Sequence, residues 1–221
     1  MLPAVRAAVP TARSERGAPR LTGQALRIAL TGPRQSGKTA TMLRLATVLA
    51  GRGVQVAGVA QPARRAEGRI VGYDLLDLAD GERVTLAELL PAAERMSGPA
   101  FRFAEEGWSW ARQRILAARR DALVVGVDEL GWVEADHGEG HLPPLLLPLT
   151  EERASCYLLG VRADRAEALG RRLGGFARLL SMPLAAVAEE ELLQLVEERC
   201  RGILAGAGPC ALERALDGVV R

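Results

Sequence analysis

Asparagine is absent from this chain of 221 residues, and lysine occurs once, as Lys38, among 29 basic residues. Without Asn or a second Lys, the N-K-x-D loop of guanine-specific GTPases cannot be formed. Aromatic residues are scarce at 4%, too few for a base-stacking nucleic-acid surface. The three cysteines, Cys156, Cys200 and Cys210, show no C-x-x-C spacing, which excludes a zinc site. Their odd number argues against a disulfide framework and reads as reduced thiols of a cytoplasmic protein. No apolar run reaches the roughly 18 residues of a membrane span, so no membrane partner is expected. The 29 basic and 27 acidic residues are interspersed and leave a net charge of +2, so no nucleic-acid partner is expected either.

What is present is one globular domain with enough chain to bury a core unaided. Residues 1–24 carry Arg6, Arg13, Arg16 and Arg20. They are read as a flexible basic arm, although an Arg-rich, acid-poor start is also compatible with a transit peptide. From Ala25 onward, apolar strand-like runs (ALRIALT, VQVAGVAQ, DALVVGVDEL, CYLLGVR, ARLLSM) alternate with helical patterns. That order predicts an α/β fold of three layers, a mostly parallel sheet with helices on both faces. Gly68, Gly72 and Asp80-Gly81 predict a β-hairpin insertion near 64–83. Met42, Leu43, Leu45, Ala46 and Leu49 are expected on the buried face of the first helix. Helical spacing also covers 103–119 and 185–204, and 205–221 is expected as a C-terminal tail helix. The segment with His137 and His141 is expected to be a polar loop, with Gly138 and Gly140 disfavouring a helix there.

The sole lysine lies in Gly32-Pro33-Arg34-Gln35-Ser36-Gly37-Lys38-Thr39, which satisfies G-x-x-x-x-G-K-[ST]. The glycines let the backbone curl so that N–H groups point at phosphate oxygens, and the next helix presents its positive end there. Residues 32–39 with Ala40 are therefore the expected phosphate-binding set. Lys38 is expected on the outer phosphates and the Thr39 hydroxyl on Mg2+. The run Leu123–Glu129 supplies an acidic strand end. Asp128 is expected to help hold the metal and Glu129 to orient or deprotonate an attacking water. Arg34, Arg65, Arg69, Arg162 and Arg165 are candidate phosphate clamps, with Arg162 singled out as catalytic because it directly follows a strand.

Three segments resemble the small P-loop nucleoside-triphosphatases whose animal member is called the cancer-related nucleoside triphosphatase. The phosphate loop is the first. Arg65, Gly68, Gly72, Tyr73 and Asp74 then match its R-x-x-G-x-R-x-G-F-D pattern, with Arg69 one residue early and Ile70 where a base is expected. Asp128-Glu129-Leu130-Gly131-Trp132-Val133-Glu134 is similar to its D-E-[IL]-G-x-[ML]-E signature. The likeness spans about residues 25–204, the expected P-loop NTPase domain. It implies magnesium-dependent hydrolysis of ATP, GTP and other nucleoside triphosphates without strict base choice. The loop after Glu134 is closer to a related P-loop group, some of whose members are encoded near molybdenum metabolism genes. Two alternatives stay open: a small kinase or other phosphoryl transferase, and a nucleotide-dependent switch or chaperone for cofactor insertion with a protein partner.

Overall fold

The computed structural model describes residues 25–91 and 100–206. The expected arm at 1–24 and the tail beyond Gly206 lie outside the described residues. Four strands form the parallel centre: β1 (Leu26–Gly32), β2 (Val56–Ala60), β7 (Val124–Leu130) and β8 (Cys156–Arg162). A further strand, β9 (Arg178–Ser181), pairs with β1 in parallel. The spatial order is β6-β5-β4-β2-β7-β8-β1-β9.

Strand alternation sends successive side chains to opposite faces, and both faces are covered. Ile28 and Leu30 of β1 and Cys156 and Leu158 of β8 point to one side. They meet Met42, Leu45 and Leu49 of α1 (Lys38–Gly51) and Leu192, Leu193 and Val196 of α5 (Ala186–Gly206). Ala29, Val125, Tyr157 and Leu159 point to the other. They meet Ala111, Ile115 and Ala118 of α2 (Glu105–Asp121), with α3 (Leu142–Leu146) and α4 (Ala166–Leu173) beside them. Two-sided burial explains why these strands read as continuous apolar runs. Leu43, expected on the buried face of α1, instead borders a cavity.

The insertion is larger than the expected hairpin. β3 (Ala63–Ala66) and β4 (Arg69–Asp77) pair antiparallel across Glu67 and Gly68, both with positive φ (49° and 76°), as a type I′ turn requires. β5 (Arg83–Leu89) and β6 (Phe101–Phe103) continue the antiparallel ladder. The whole insertion joins the parallel sheet through β4 on β2. Arg114 of α2 clamps the β4–β5 turn, pairing with Asp77 at 3.2 Å and Asp80 at 3.3 Å, while its guanidinium lies 5.1 Å from the Trp110 ring centre.

The expected polar loop around His137 is helical: Val133–His137 form a wide π-helical turn, followed by α3. Glycine spacing disfavoured a helix there, but Gly138 (φ 72°) ends the turn and does not interrupt it. Cys156 and Cys200 are free, buried thiols, and no described helix is long and apolar enough to cross a membrane.

Gly58 and Gly126 face each other in the β2–β7 ladder. A Cβ on Gly58, whose φ is +118°, would lie 2.0 Å from the Gly126 carbonyl oxygen. Gly58→Ala is therefore expected to destabilise the protein by about 3 kcal/mol or more, combining backbone strain with a clash against main chain. A lowered urea midpoint at unchanged slope checks this.

Candidate functional site

The carboxyl ends of β1, β2, β7 and β8 open into one crevice, as parallel strands of an α/β sheet do. The phosphate loop follows β1. Gly37 sits at φ 92° immediately before α1, and Gln35 also adopts positive φ, 62°. A Cβ on Gly32 would lie 2.6 Å from Ser36 Oγ and 3.3 Å from Met182 Cβ, so a side chain there would have to push Ser36 aside. Lys38 is 3% exposed, and its ammonium donates to the carbonyls of Pro33 (3.1 Å) and Gly32 (3.3 Å). The same ammonium lies 3.9 Å from Glu129 Oε1. Ser36 Oγ is buried without a hydrogen-bond partner. A buried lysine, an orphaned hydroxyl and the N-terminus of α1 at one place suit an anion.

The acids stand beside it. Val127 and Leu130 of β7 keep their places against β8, but the register shifts between them. Asp128 and Glu129 thus form a bulge, a device that re-aims side chains at a strand end. Glu129 adopts φ 55°, a left-handed conformation costing of order 1 kcal/mol or more that the surrounding structure must enforce. Asp128 has no exposed surface; it accepts the N–H of Glu129 at 2.9 Å and of Gln61 at 3.3 Å. Burial pushes its carboxyl up to about 6, the neighbouring Glu129 adds to this, and hydrogen bonds from Thr39 and the two amides oppose it. A Cβ on Gly160 of β8 would lie 2.1 Å from Asp128 Oδ1, so that glycine makes room for the carboxylate. The Thr39 hydroxyl and the Asp128 carboxylate are hard oxygen donors next to two adjacent acids, a set that fits Mg2+.

The phosphate loop and Glu129 border a cavity of about 570 Å³, while Asp128 lies buried beneath it and is not part of its wall. Arg34, Gln35, Ser36, Gly37, Lys38, Thr39 and Ala40 line it, with Glu129 and Arg162, whereas Gly32 and Pro33 support it from behind through their carbonyls. Arg162 does reach the crevice, with its guanidinium held by Asp164 at 2.9 and 3.0 Å. Arg65 also lines the cavity, and Ile70 replaces a base on its wall. Arg69 and Arg165 do not line it; Arg165 pairs with Asp136 at 3.1 Å.

His137 packs on Trp132 and His141 on Trp108, and no cluster of three possible ligands occurs among the described residues. Glu134, Gln61 and Gly160 join the site without a role expected from the sequence. Glu134 is 2% exposed and its carboxylate accepts the N–H of Gly131 (2.8 Å) and of His141 (3.1 Å). It thereby fixes the chain just past Glu129, and its place in the third family-like segment was the only signal.

A family model described as NTPase matches residues 27–139. The nucleoside-triphosphatase THEP1 of Thermofilum pendens is 31% identical over 145 residues, covering 66% of this chain and 78% of that protein. THEP1 of Methanopyrus kandleri is 28% identical over 170 residues, covering 66% and 92%. The solution structure of a human cancer-related nucleoside triphosphatase superposes with a TM-score of 0.51 at 21% identity, over 79% of this chain and 96% of that one. The crystal structure of THEP1 from Aquifex aeolicus gives 0.55 at 16% identity, over 78% and 99%. At these identities the two solved structures bear on the fold alone.

The His141 ring is 1% exposed and its Nε2 has no hydrogen-bond partner. Burial lowers its pKa from 6.5 to about 4. Protonation therefore favours the unfolded chain. The stability contributed by the neutral ring is present above pH 6.5 and is lost as pH falls towards about 4, by up to about 3 kcal/mol. Glu134, whose carboxyl burial pushes up, titrates with the opposite sign. The measurement is thus the difference between wild type and His141→Phe in denaturant unfolding across that window, and the variant is expected to lose less stability on acidification.

Proposed function

The chain belongs to the NTPase family, and on that premise we propose that it hydrolyses the γ-phosphate of ATP, GTP and other nucleoside triphosphates with Mg2+ and little regard for the base. The observation that carries this reading is the meeting of Lys38, Glu129 and the buried Asp128 at the mouth of the phosphate loop. Indifference to the base is supported by the chain's lack of Asn and of any lysine but Lys38, which leaves no N-K-x-D loop.

In this mechanism the backbone N–H groups of residues 34–38 and the N-terminus of α1 bind the phosphate chain. Lys38 leaves the Pro33 and Gly32 carbonyls for the outer phosphate oxygens, which carry full negative charge. Thr39 and Asp128 would hold Mg2+, which supplies neutralisation of phosphate charge when bound. Glu129, aimed by the bulge and by its enforced φ, orients a water for in-line attack and takes its proton. Arg162, on the cavity wall and steadied by Asp164, would stabilise the charge that builds on the transferring group. Because the water meets phosphorus only if Glu129 is held still, Glu134 serves as its positioning residue through Gly131.

Steady-state phosphate release from ATP, GTP, CTP and UTP with Mg2+ tests the reading. All four are expected to be hydrolysed. Lys38→Ala is expected to weaken nucleotide binding and abolish turnover. Glu129→Gln is expected to keep binding and lose roughly 10²-fold or more in kcat. Normal hydrolysis by Glu129→Gln would remove that residue from the reaction, and binding without release in wild type would remove hydrolysis itself.

A further inference from the structure

The cavity does not end at the phosphate loop. It continues past Lys38 and Glu129 into a chamber walled by Tyr73, Phe101, Phe103, Trp108 and Trp132. The entire chain has only three Trp, three Phe and two Tyr, so most of its aromatic side chains gather in one place. They are not simply core. Phe103 is 43% and Trp132 45% exposed, and they present ring surface to the opening. Phe103 and Trp108 are stacked with centroids 5.6 Å apart, and Tyr73 meets Phe101 edge-on at 5.2 Å. Such walls accept a flat, unsaturated ring.

The sheet order decides which ring this is. The chamber is built from β4, β6, the first turns of α2 and the turn after β7. Of these, the strands β4 and β6 lie on the side of β7 away from β8, β1 and β9, and α2 and the turn after β7 close the chamber around them. A triphosphate seated in the loop puts its outer phosphate at Lys38, hence at Glu129. Its own ribose and base must then leave in the opposite direction, and the chamber stays free beyond the transferable phosphate. Its volume, part of about 570 Å³ shared with the phosphate loop, suits one small molecule and no polymer.

We propose that this chamber binds a phosphoryl acceptor, a nucleoside-sized heteroaromatic molecule carrying a hydroxyl group. The inference rests on the nucleotide-binding reading above and adds a second substrate to it. The ring stacks among the aromatic walls, and the hydroxyl takes the place of water beside Glu129. Its oxygen bonds to the γ-phosphorus and the bond from that phosphorus to the β-bridging oxygen breaks. The electron pair stays on the departing nucleoside diphosphate, and the hydroxyl proton goes to the Glu129 carboxylate. Arg34, Arg65 and Arg162, all lining the junction, face the transferring group. Hydrolysis is the same reaction run with the chamber empty.

The test uses the four ribonucleosides, thymidine, pyridoxine and thiamine at millimolar concentration. Equilibrium dialysis measures their binding to the full chain saturated with Mg2+ and a non-hydrolysable ATP analogue. A second assay follows transfer of labelled γ-phosphate from ATP to the same compounds. At least one compound is expected to bind and to become phosphorylated. Phe103→Ala and Trp132→Ala, both truncations of exposed rings, are each expected to weaken that binding roughly tenfold or more, with analogue binding measured in parallel to show that they fold. Intact nucleotide binding with no compound bound, or with binding but no transfer, overturns the acceptor site alone. Failure of wild type to bind the nucleotide analogue overturns both readings.

Discussion

A carboxylate with no access to water must be held by donors or give up its charge. Asp128 is that carboxylate, and the architecture of the site follows from how it is held. Its amide partners come from the bulge of β7 and from Gln61 just beyond β2, and Thr39 reaches it from the start of α1. Gly160 of β8 leaves the space it occupies. One buried side chain thus ties together the ends of four elements. Its neighbour Glu129 is displaced into a left-handed conformation facing the phosphate loop. Two adjacent acids at the mouth of that loop give the cationic Lys38 a counter-charge, with Glu129 Oε1 3.9 Å from its ammonium.

The rest of the molecule is arranged to keep that arrangement rigid. The two apolar layers fix the parallel strands from both faces. α5 is also fastened to α1 by ion pairs, Arg44 with Glu189 at 2.5 Å and Arg52 with Glu197 at 2.7 Å. Being largely solvent-exposed, these pairs add orientation more than stability. On the other face, Arg119 is 1% exposed and paired with Glu152 at 3.0 Å. It also donates to the carbonyls of Pro144 and Leu147. That buried guanidinium joins α2 to α3 and the segment before β8. Removing either partner of such a pair leaves an uncompensated charge, so it serves to specify how the layers meet.

The antiparallel insertion does a different job. It extends the sheet on the Glu129 side and carries Tyr73, Phe101 and Phe103 to the cavity. A domain poor in aromatic residues has placed them where the phosphate loop ends. The same sheet therefore presents a charged compartment at the ends of its parallel strands and an aromatic one at its antiparallel margin.

Much of this was legible beforehand, because it depends on local rules. Period-two and period-3.6 patterns give strands and helices, and the spacing of Gly32, Gly37, Lys38 and Thr39 is set by phosphate geometry within one turn of chain. The apolar run ending at Asp128 and Glu129 likewise announced paired acids. Other features depend on atoms far apart in sequence and left no local mark. The π-helical turn at Val133–His137 forms where Glu134 caps Gly131 and His141, against the glycine signals on either side. Leu43 fits the apolar stripe of α1 but borders the cavity because of where the insertion lies. The aromatic chamber draws on residues from 73 to 132, and only the order of strands brings them together. The phosphate loop, its acids and the alternation of elements follow from the order of residues alone, since each is written within a few residues. The tertiary structure alone decided how Asp128 is buried, how Glu129 is aimed and what stands beyond it, because burial and strand order are properties of the packed chain.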